Sequence, residues 1–541
     1  MPVVEINDLA KIGQINDVAA YMLPPEAWTL AENIRYARGS PQVLDGWEAV
    51  FGTPLGPPHF AIPFKGVAAT WWLYTSLTNA FAFDGANHFD ITRAAGVYTT
   101  GSTEQWNGIV FGGTPILNNG SDVPQMWPAP QTSVTKLIAL TAWPATMKAK
   151  ILRNFGSYLV AFNITDTTFT PNLLPHLVQW SNPAGPGSVP TSWAYGNPAT
   201  EGGRKDLPDV NAGEILEAKQ LGSTMFIYKE RSIWKMSYIG GQYIFQFDTF
   251  LEDVGILGPR CVCMDVTGTK HVVVTQDDII IHNGNAVESI LTDRQRITLF
   301  NVINKETAAT SFIFTNKTKD EVWFCFPESG QPHPSRALIW NSKGGKGAIS
   351  FAPGITFRNA AVGDLQGVTA ETWADGTDSW AVDTGPWSQI FRQKVILCAP
   401  DPSKTLTYAS PKFYQLDAGI TRDGVAFVPL LVREDLGVIG QKRNGELIND
   451  FKQMKMVDSV WPKIEGAPIR IRVGFRETVK GPLTWQNYVN FNPATDLWVN
   501  AIVDENLPGC GKAVSIEFTA NTGASWRLDG YAMNIEVIGP Y

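Results

Sequence analysis

Paired carboxylates are the first chemistry to look for in this 541-residue chain. A glycosidase places two of them about the scissile bond, one protonated to donate to the leaving oxygen, the other ionised to attack or to activate water. Asp84, Asp90, Glu252, Asp253, Asp277, Asp278, Asp375 and Asp378 are the candidates. Their surroundings favour a plainer role. "FDGANHFD", "TQDDII" and "WADGTDSW" set Asp beside turns, where the carboxylate accepts hydrogen bonds from local backbone N–H groups. "WADGTDSW" is similar to the Asp-box turn of sialidases, but its Asp-to-Gly spacing differs and it occurs once. The histidines (His59, His88, His176, His271, His282, His333) show no ligand spacing, and His271 and His282 read as edge or turn residues flanking a strand pair. Cys261, Cys263, Cys325, Cys398 and Cys510 form no CxxC pair, are odd in number, and read as buried free thiols in a reducing cytosol. Phosphate-loop, GxSxG, HExxH and dinucleotide motifs are missing. The sequence therefore names no catalytic residue, no metal ligand and no cofactor, and the chain does not read as an enzyme. The Trp residues of "ATWWLY" and "QMWPAP" could stack on sugars, although core or subunit contact is the stronger reading.

The elements that would position these residues are short strands. In "IYKERSIWKMSYIGG", residues 227–241, an apolar strand meets a charged turn and then a strand in which Trp234, Met236 and Tyr238 alternate with Lys235 and Ser237. The outline recurs as "FGSYLVAFNITD" answered by "PHLVQWSN", "TGTKHVVVTQDDIIIHNG" and "NKTKDEVWFCFPESGQPHPSRALIWNS". Fainter copies are "KGVAATWWLYTSLTNAFAFDG", "NGIVFGGTPILNNG" and "QGVTAETWADGTDSWAVD". The turn residues Gly66, Gly108, Gly156, Gly222, Gly268, Asn316 and Gly367 recur about every 48 residues, the period of a β-propeller blade. The one long interval holds a Pro/Gly-rich insertion near 181–213 that reads as a surface loop.

The expected fold is all-β: a β-propeller over 61–390, with seven blades, some degenerate. An N-terminal arm, 1–60, carries a short helix in "MLPPEAWTLAENIRYARG" and packs on the C-terminal region or a neighbouring subunit. A second helix is predicted over 293–306. Residues 391–541 read as an antiparallel β-sandwich, with Ile469, Ile471 and Val473 facing one way and Arg470, Arg472 and Gly474 the other.

Composition narrows the partners. A net charge of -8 and the absence of any Lys/Arg run argue against tight phosphate binding. Only 17% of residues are charged, against 19 Trp and 28 Phe, so much of the surface is expected to be covered. The N-terminus lacks a signal-like pattern, no run of about 18 apolar residues occurs, and neither export nor membrane insertion is expected.

"GQINDVAAYMLPPEAWTLAENIRYARGSPQVLDGW", residues 13–47, resembles the opening of the tail nozzle (tail tube, or DNA stabilisation) proteins of short-tailed bacteriophages. The stretch "LGSTMFIYKERSIWKMSYIGGQYIFQFDTFLEDVGILGPRCV", 221–262, looks like their most recognisable segment, ending in an Asp-x-Gly-x-x-Gly-Pro turn. "EVWFCFP" followed by "ALIWN", and the closing "WRLDGYAMNIEVIG", are similar too. The resemblance implies a structural virion protein, made in the bacterial cytoplasm and placed in the virion tail. It implies a homo-hexameric ring that conducts double-stranded DNA without sequence-specific binding and helps to retain and then release the genome. Its implied partners are the tail adaptor (head-to-tail connector) and tail fibres, spikes or a distal plug. Leu23, Trp28, Asn33 and Arg35 are the expected subunit-interface residues, with packing against the C-terminal sandwich as their alternative. A carbohydrate-active propeller, glycosidase or lectin, is the alternative from another class.

Overall fold

The computed structural model describes residues 3–539 except 16–17, 67–69, 100–105, 197–198, 209–212, 242, 366–392, 401–410, 443–445, 479 and 521–523. Four-stranded antiparallel meanders succeed one another along the chain. Blade 1 runs over 60–90, blade 2 over 107–139, blade 3 over 147–206, blade 4 over 215–252 and blade 5 over 262–289. Blade 6 takes Asn359–Gly363, Lys394–Ala399 and Lys412–Leu416, and its outer strand is Trp47–Val50 from far upstream. The ring is thus closed by an N-terminal strand, with Phe413 opposite Val50 and Leu416 opposite Trp47.

Six blades stand as separate sheets, where seven were expected. The repeat at 312–353, between blades 5 and 6, is a four-strand meander that does not end as a blade. Its last strand, Ile349–Pro353, pairs in parallel with Leu30–Glu32, which carries the sheet on through Leu430–Leu436 and Ala513–Thr519 to Ile469–Arg476. A second sheet, built on Met454–Gly466 and Trp526–Gly539 with Val3–Ile6 and Ile34–Val43, shares a core with this extension through Trp28, Phe518, Tyr531 and Ile535. The propeller sheets therefore reach Leu416, and both chain ends contribute to the two-sheet body.

The hairpins of the repeat are present. Tyr228 faces Ile233 and Ile227 faces Trp234 across the Glu230–Arg231 turn. In blade 2 the expected repeat is one strand out of register: Gly108 lies inside Asn107–Phe111, and the tight turn is made by Gly112 and Gly113, both at positive φ. The copy at 366–383 lies outside the described residues. The helix over 293–306 is found at Asp293–Val302, closed at its start by a capping box between Thr292 and Gln295.

The expected helix in the arm is not there. A single 3-10 turn, Ala20–Met22, gives way to strands Leu30–Glu32 and Ile34–Ala37. The adjacent Pro24 and Pro25 remove two donors, Asn33 sits at φ 58, and pairing with Leu430–Leu436 outweighs the local helical spacing. The guanidinium of Arg433 also donates to the carbonyls of Ala20, Leu23 and Pro24, holding the segment open.

Candidate functional site: the inner strands and the charged junction

The first strand of each blade faces its neighbours round the ring, and its polar side chains stitch blade to blade. Asn107 of blade 2 donates to the carbonyl of Lys150 in blade 3 at 2.9 Å. From blade 3, Lys150 reaches Glu214 and Arg153 reaches Glu217, each at 2.5 Å, and Arg153 Nε donates to the carbonyl of Ala218. Lys219 of blade 4 donates to the carbonyl of Val262 in blade 5, and Thr315 Oγ1 of the fused meander donates to the carbonyl of Met264. The two ion pairs share one sequence offset, which matches the lengthened blade-to-blade interval and was the signal by which they could have been found. This arrangement pairs opposite charges at the blade 3–4 seam and side-chain donors with backbone carbonyls at the others, and is suited to holding strands together.

The four residues expected at a subunit interface lie inside the chain, on the side of their alternative, packing with the C-terminal body. Leu23, Trp28, Asn33 and Arg35 are all buried. Trp28 Nε1 donates to the carbonyl of Leu9, and its ring meets Phe518 and Tyr531 edgewise or tilted. Asn33 donates to the carbonyl of Val428 and accepts from Arg422. Arg35 is the centre of a buried charge set: Nε is 3.0 Å from Glu321, Nη1 3.0 Å from Asp45 and Nη2 2.5 Å from Asp417. Lys319 also reaches Asp45, Asn316 donates to Asp417, and Trp323 donates to Glu321. Burial opposes the Arg35 charge, yet the carboxylates of Glu321, Asp417 and Asp45 override it and raise its affinity for the proton. Burial pushes the Glu321 carboxyl above the usual carboxylate range, against the pull of Arg35. The set joins the arm, the fused meander and the exit of blade 6.

The carboxylates that could serve hydrolysis sit at turns. Asp84 accepts from the backbone of Ala86 and Asn87, and Asp90 accepts from Thr92. Asp278 accepts from Ile279 N and Ser289 Oγ, with burial raising its proton affinity, and Asp277 accepts from Thr275. Glu252 and Asp253 end the outer strand of blade 4, and Asp253 is at φ 59. Asp375 and Asp378 lie outside the described residues.

His271 and His282 correct the edge-or-turn reading. They face each other across the middle strands of blade 5, both buried, with the hydroxyl of Tyr228 from blade 4 at 2.6 and 2.9 Å. His271 Nε2 donates to the carbonyl of Gln220, so Nδ1 accepts from Tyr228, which in turn accepts from His282 Nε2–H. Burial, with Lys219 and His282 nearby, lowers His271 to about 3, and burial with Lys235 lowers His282 to about 4. The five cysteines are free, and burial pushes Cys263 up to about 11. Trp71, Trp72 and Trp127 are core residues. Among the described residues no group of three or more His, Cys, Asp or Glu could hold a metal ion, and no helix is long and apolar enough to cross a membrane.

No family model and no curated protein matches the chain. Solved structures match at low identity. PorZ, a surface component of the type-IX secretion system of Porphyromonas gingivalis, is 7% identical with a TM-score of 0.33 over 83% of this chain; the chain spans 46% of its length. A candidate 6-phosphogluconolactonase from Bacteroides fragilis is 8% identical, TM-score 0.36, covering 75% of this chain and 92% of that one. The AfRom2 CNH domain is 9% identical, TM-score 0.37, covering 70% and 99%. Likeness at this level assigns no activity. With the strand order above, the chain is an all-β protein built on a β-propeller.

Proposed function

We propose that the chain is a structural subunit of a virion, the nozzle of a short phage tail, which assembles as a ring on the head-to-tail adaptor and conducts DNA. The observation that carries this reading is the placement of the resembling segments. Residues 13–47 are the arm that gives strands to both sheets and leads into the ring-closing strand, and 221–262 cover the last three strands of blade 4 and the entry to blade 5. The Asp253 to Pro259 turn has a steric reason for its pattern: a Cβ on Gly255 would stand 1.9 Å from the carbonyl oxygen of Glu230. A propeller stapled to a second body through buried charges suits a part that must stay rigid while a genome under pressure passes. An acidic chain also avoids gripping the duplex, so the ring lumen is neutral or negative in this reading.

Gold-labelled antibody against the purified chain, applied to particles from the source culture, tests this by electron microscopy. Label at the tip of short-tailed particles is expected; its absence from intact and detergent-opened particles overturns the reading. The glycosidase form of the carbohydrate-active rival calls for converging carboxylates, and the described candidates are engaged at separate turns.

A further inference from the structure

The Pro/Gly-rich insertion of blade 3 is not a plain surface loop. It folds back so that Trp193 is buried edge-on against Trp143, ring centroids 4.6 Å apart, and a cavity of about 480 Å³ opens beside it. Trp193 and the half-exposed Tyr195 give it an aromatic wall. Gln179, 4% exposed, also lines it; Nε2 donates to the carbonyl of Trp193, which fixes the amide and leaves Oε1 as an acceptor. Asp166, another lining residue, uses Oδ1 in its own turn with Thr168 and keeps Oδ2.

Arg204 stands directly opposite Gln179 on the neighbouring strand, so both side chains rise from the same face of the blade. Its guanidinium is clamped between two rings, 3.8 Å from the centroid of Tyr195 and 4.8 Å from that of Phe169. No carboxylate among the described residues pairs with it. A guanidinium held by stacking, with its N–H fork unspent, is oriented for a carboxylate from outside the chain.

We propose that this cavity binds an acidic saccharide, a sugar bearing a carboxylate. Arg204 donates to the carboxylate, the aromatic wall takes the apolar face of the sugar ring, and Gln179 Oε1 and Asp166 Oδ2 accept from its hydroxyls. The site binds and does not hydrolyse. It is independent of the conduit reading: a glycan site on a protein absent from tails, or tail protein without glycan binding, would separate the two.

The test is titration of the full chain with a glucuronate-containing oligosaccharide, followed by saturation-transfer NMR and calorimetry. A neutral glucose oligomer of equal length and acetate serve as comparisons. The uronate is expected to bind more tightly than either, with Arg204→Gln weakening it about tenfold or more, the loss of one charge-assisted pair. Tyr195→Ala should weaken uronate and neutral sugar alike. Thermal melting checks that both variants stay folded, and Arg204→Lys, which keeps charge but not the fork, should recover only part of the affinity. Equal binding by acetate, indifference to Arg204→Gln in folded protein, or no uronate binding at millimolar concentration would each overturn the proposal.

Discussion

At the scale of single residues, buried ionisable groups do structural work that sets a pH dependence. His271 and His282 are lowered to about 3 and about 4 from an ordinary 6.5, chiefly by burial. As pH falls below 6.5 the unfolded chain takes up protons before the folded one does, so their stabilisation is complete above that value and drains away toward pH 3. Urea midpoints measured at pH 7 and pH 4.5 should therefore differ less in His282→Phe than in the parent chain, since Phe226 and Phe250 already flank that ring. Equal differences in the two proteins would refute the assignment. Arg35→Ala leaves Glu321, Asp417 and Asp45 facing one another without their shared cation. It should cost about 3–5 kcal/mol in equilibrium unfolding, whereas Arg153→Ala, whose side chain is 20% exposed, should cost much less. Little of this was legible beforehand. Arg35 and Trp28 stood out in the arm, but nothing local says that Glu321 and Asp417, hundreds of residues on, close around the guanidinium. The turn-capping role of Asp84 and Asp90, by contrast, was legible because it depends only on neighbours in sequence.

At the scale of elements, the hairpins were readable because a middle strand of a blade has a continuous apolar run and its turns are short, as in Thr224–Lys229 and His271–Val274. Inner and outer strands blurred into the background, which explains the register error at Gly108. The arm misled for a physical reason: Ala27, Leu30, Ala31 and Ile34 have helical spacing, but Leu30 and Ala31 pair in a strand, Ala31 and Ile34 enter the core shared by the two sheets, and Ala27 packs with Ile15 and Leu23. The outer strand of blade 6 could not be found by repeat at all, since it lies before the first copy. Its approach is tight, for a Cβ on Gly46 would stand 1.8 Å from the carbonyl oxygen of Thr421. Gly46→Ala should therefore loosen the closure, seen as faster amide exchange at Phe413 to Leu416 with blades 2 to 4 unaffected. Unchanged exchange there would show that the strand does not depend on this contact.

At the scale of the whole molecule, one ten-stranded sheet runs from the fused meander into the C-terminal body, so the division at 391 that the change in strand pattern suggests does not follow the strand pairing. Residues 430–541 expressed alone should fail to fold, because Val3–Ile6, Leu30–Glu32 and Ile34–Val43 complete both of its sheets. Co-expression with residues 1–52 should restore a cooperative melt; a melt from the fragment alone would contradict the shared core. The closing strand also sets a schedule on synthesis. Trp47–Val50 leaves the ribosome early, and its partner at Lys412–Leu416 follows only after all the other blades. At about 5–20 residues per second the wait is roughly 20 to 70 s. During it Trp47–Val50 stands without its pairing strand, so a newly made chain is most open to mispairing or to capture by a chaperone before ring closure.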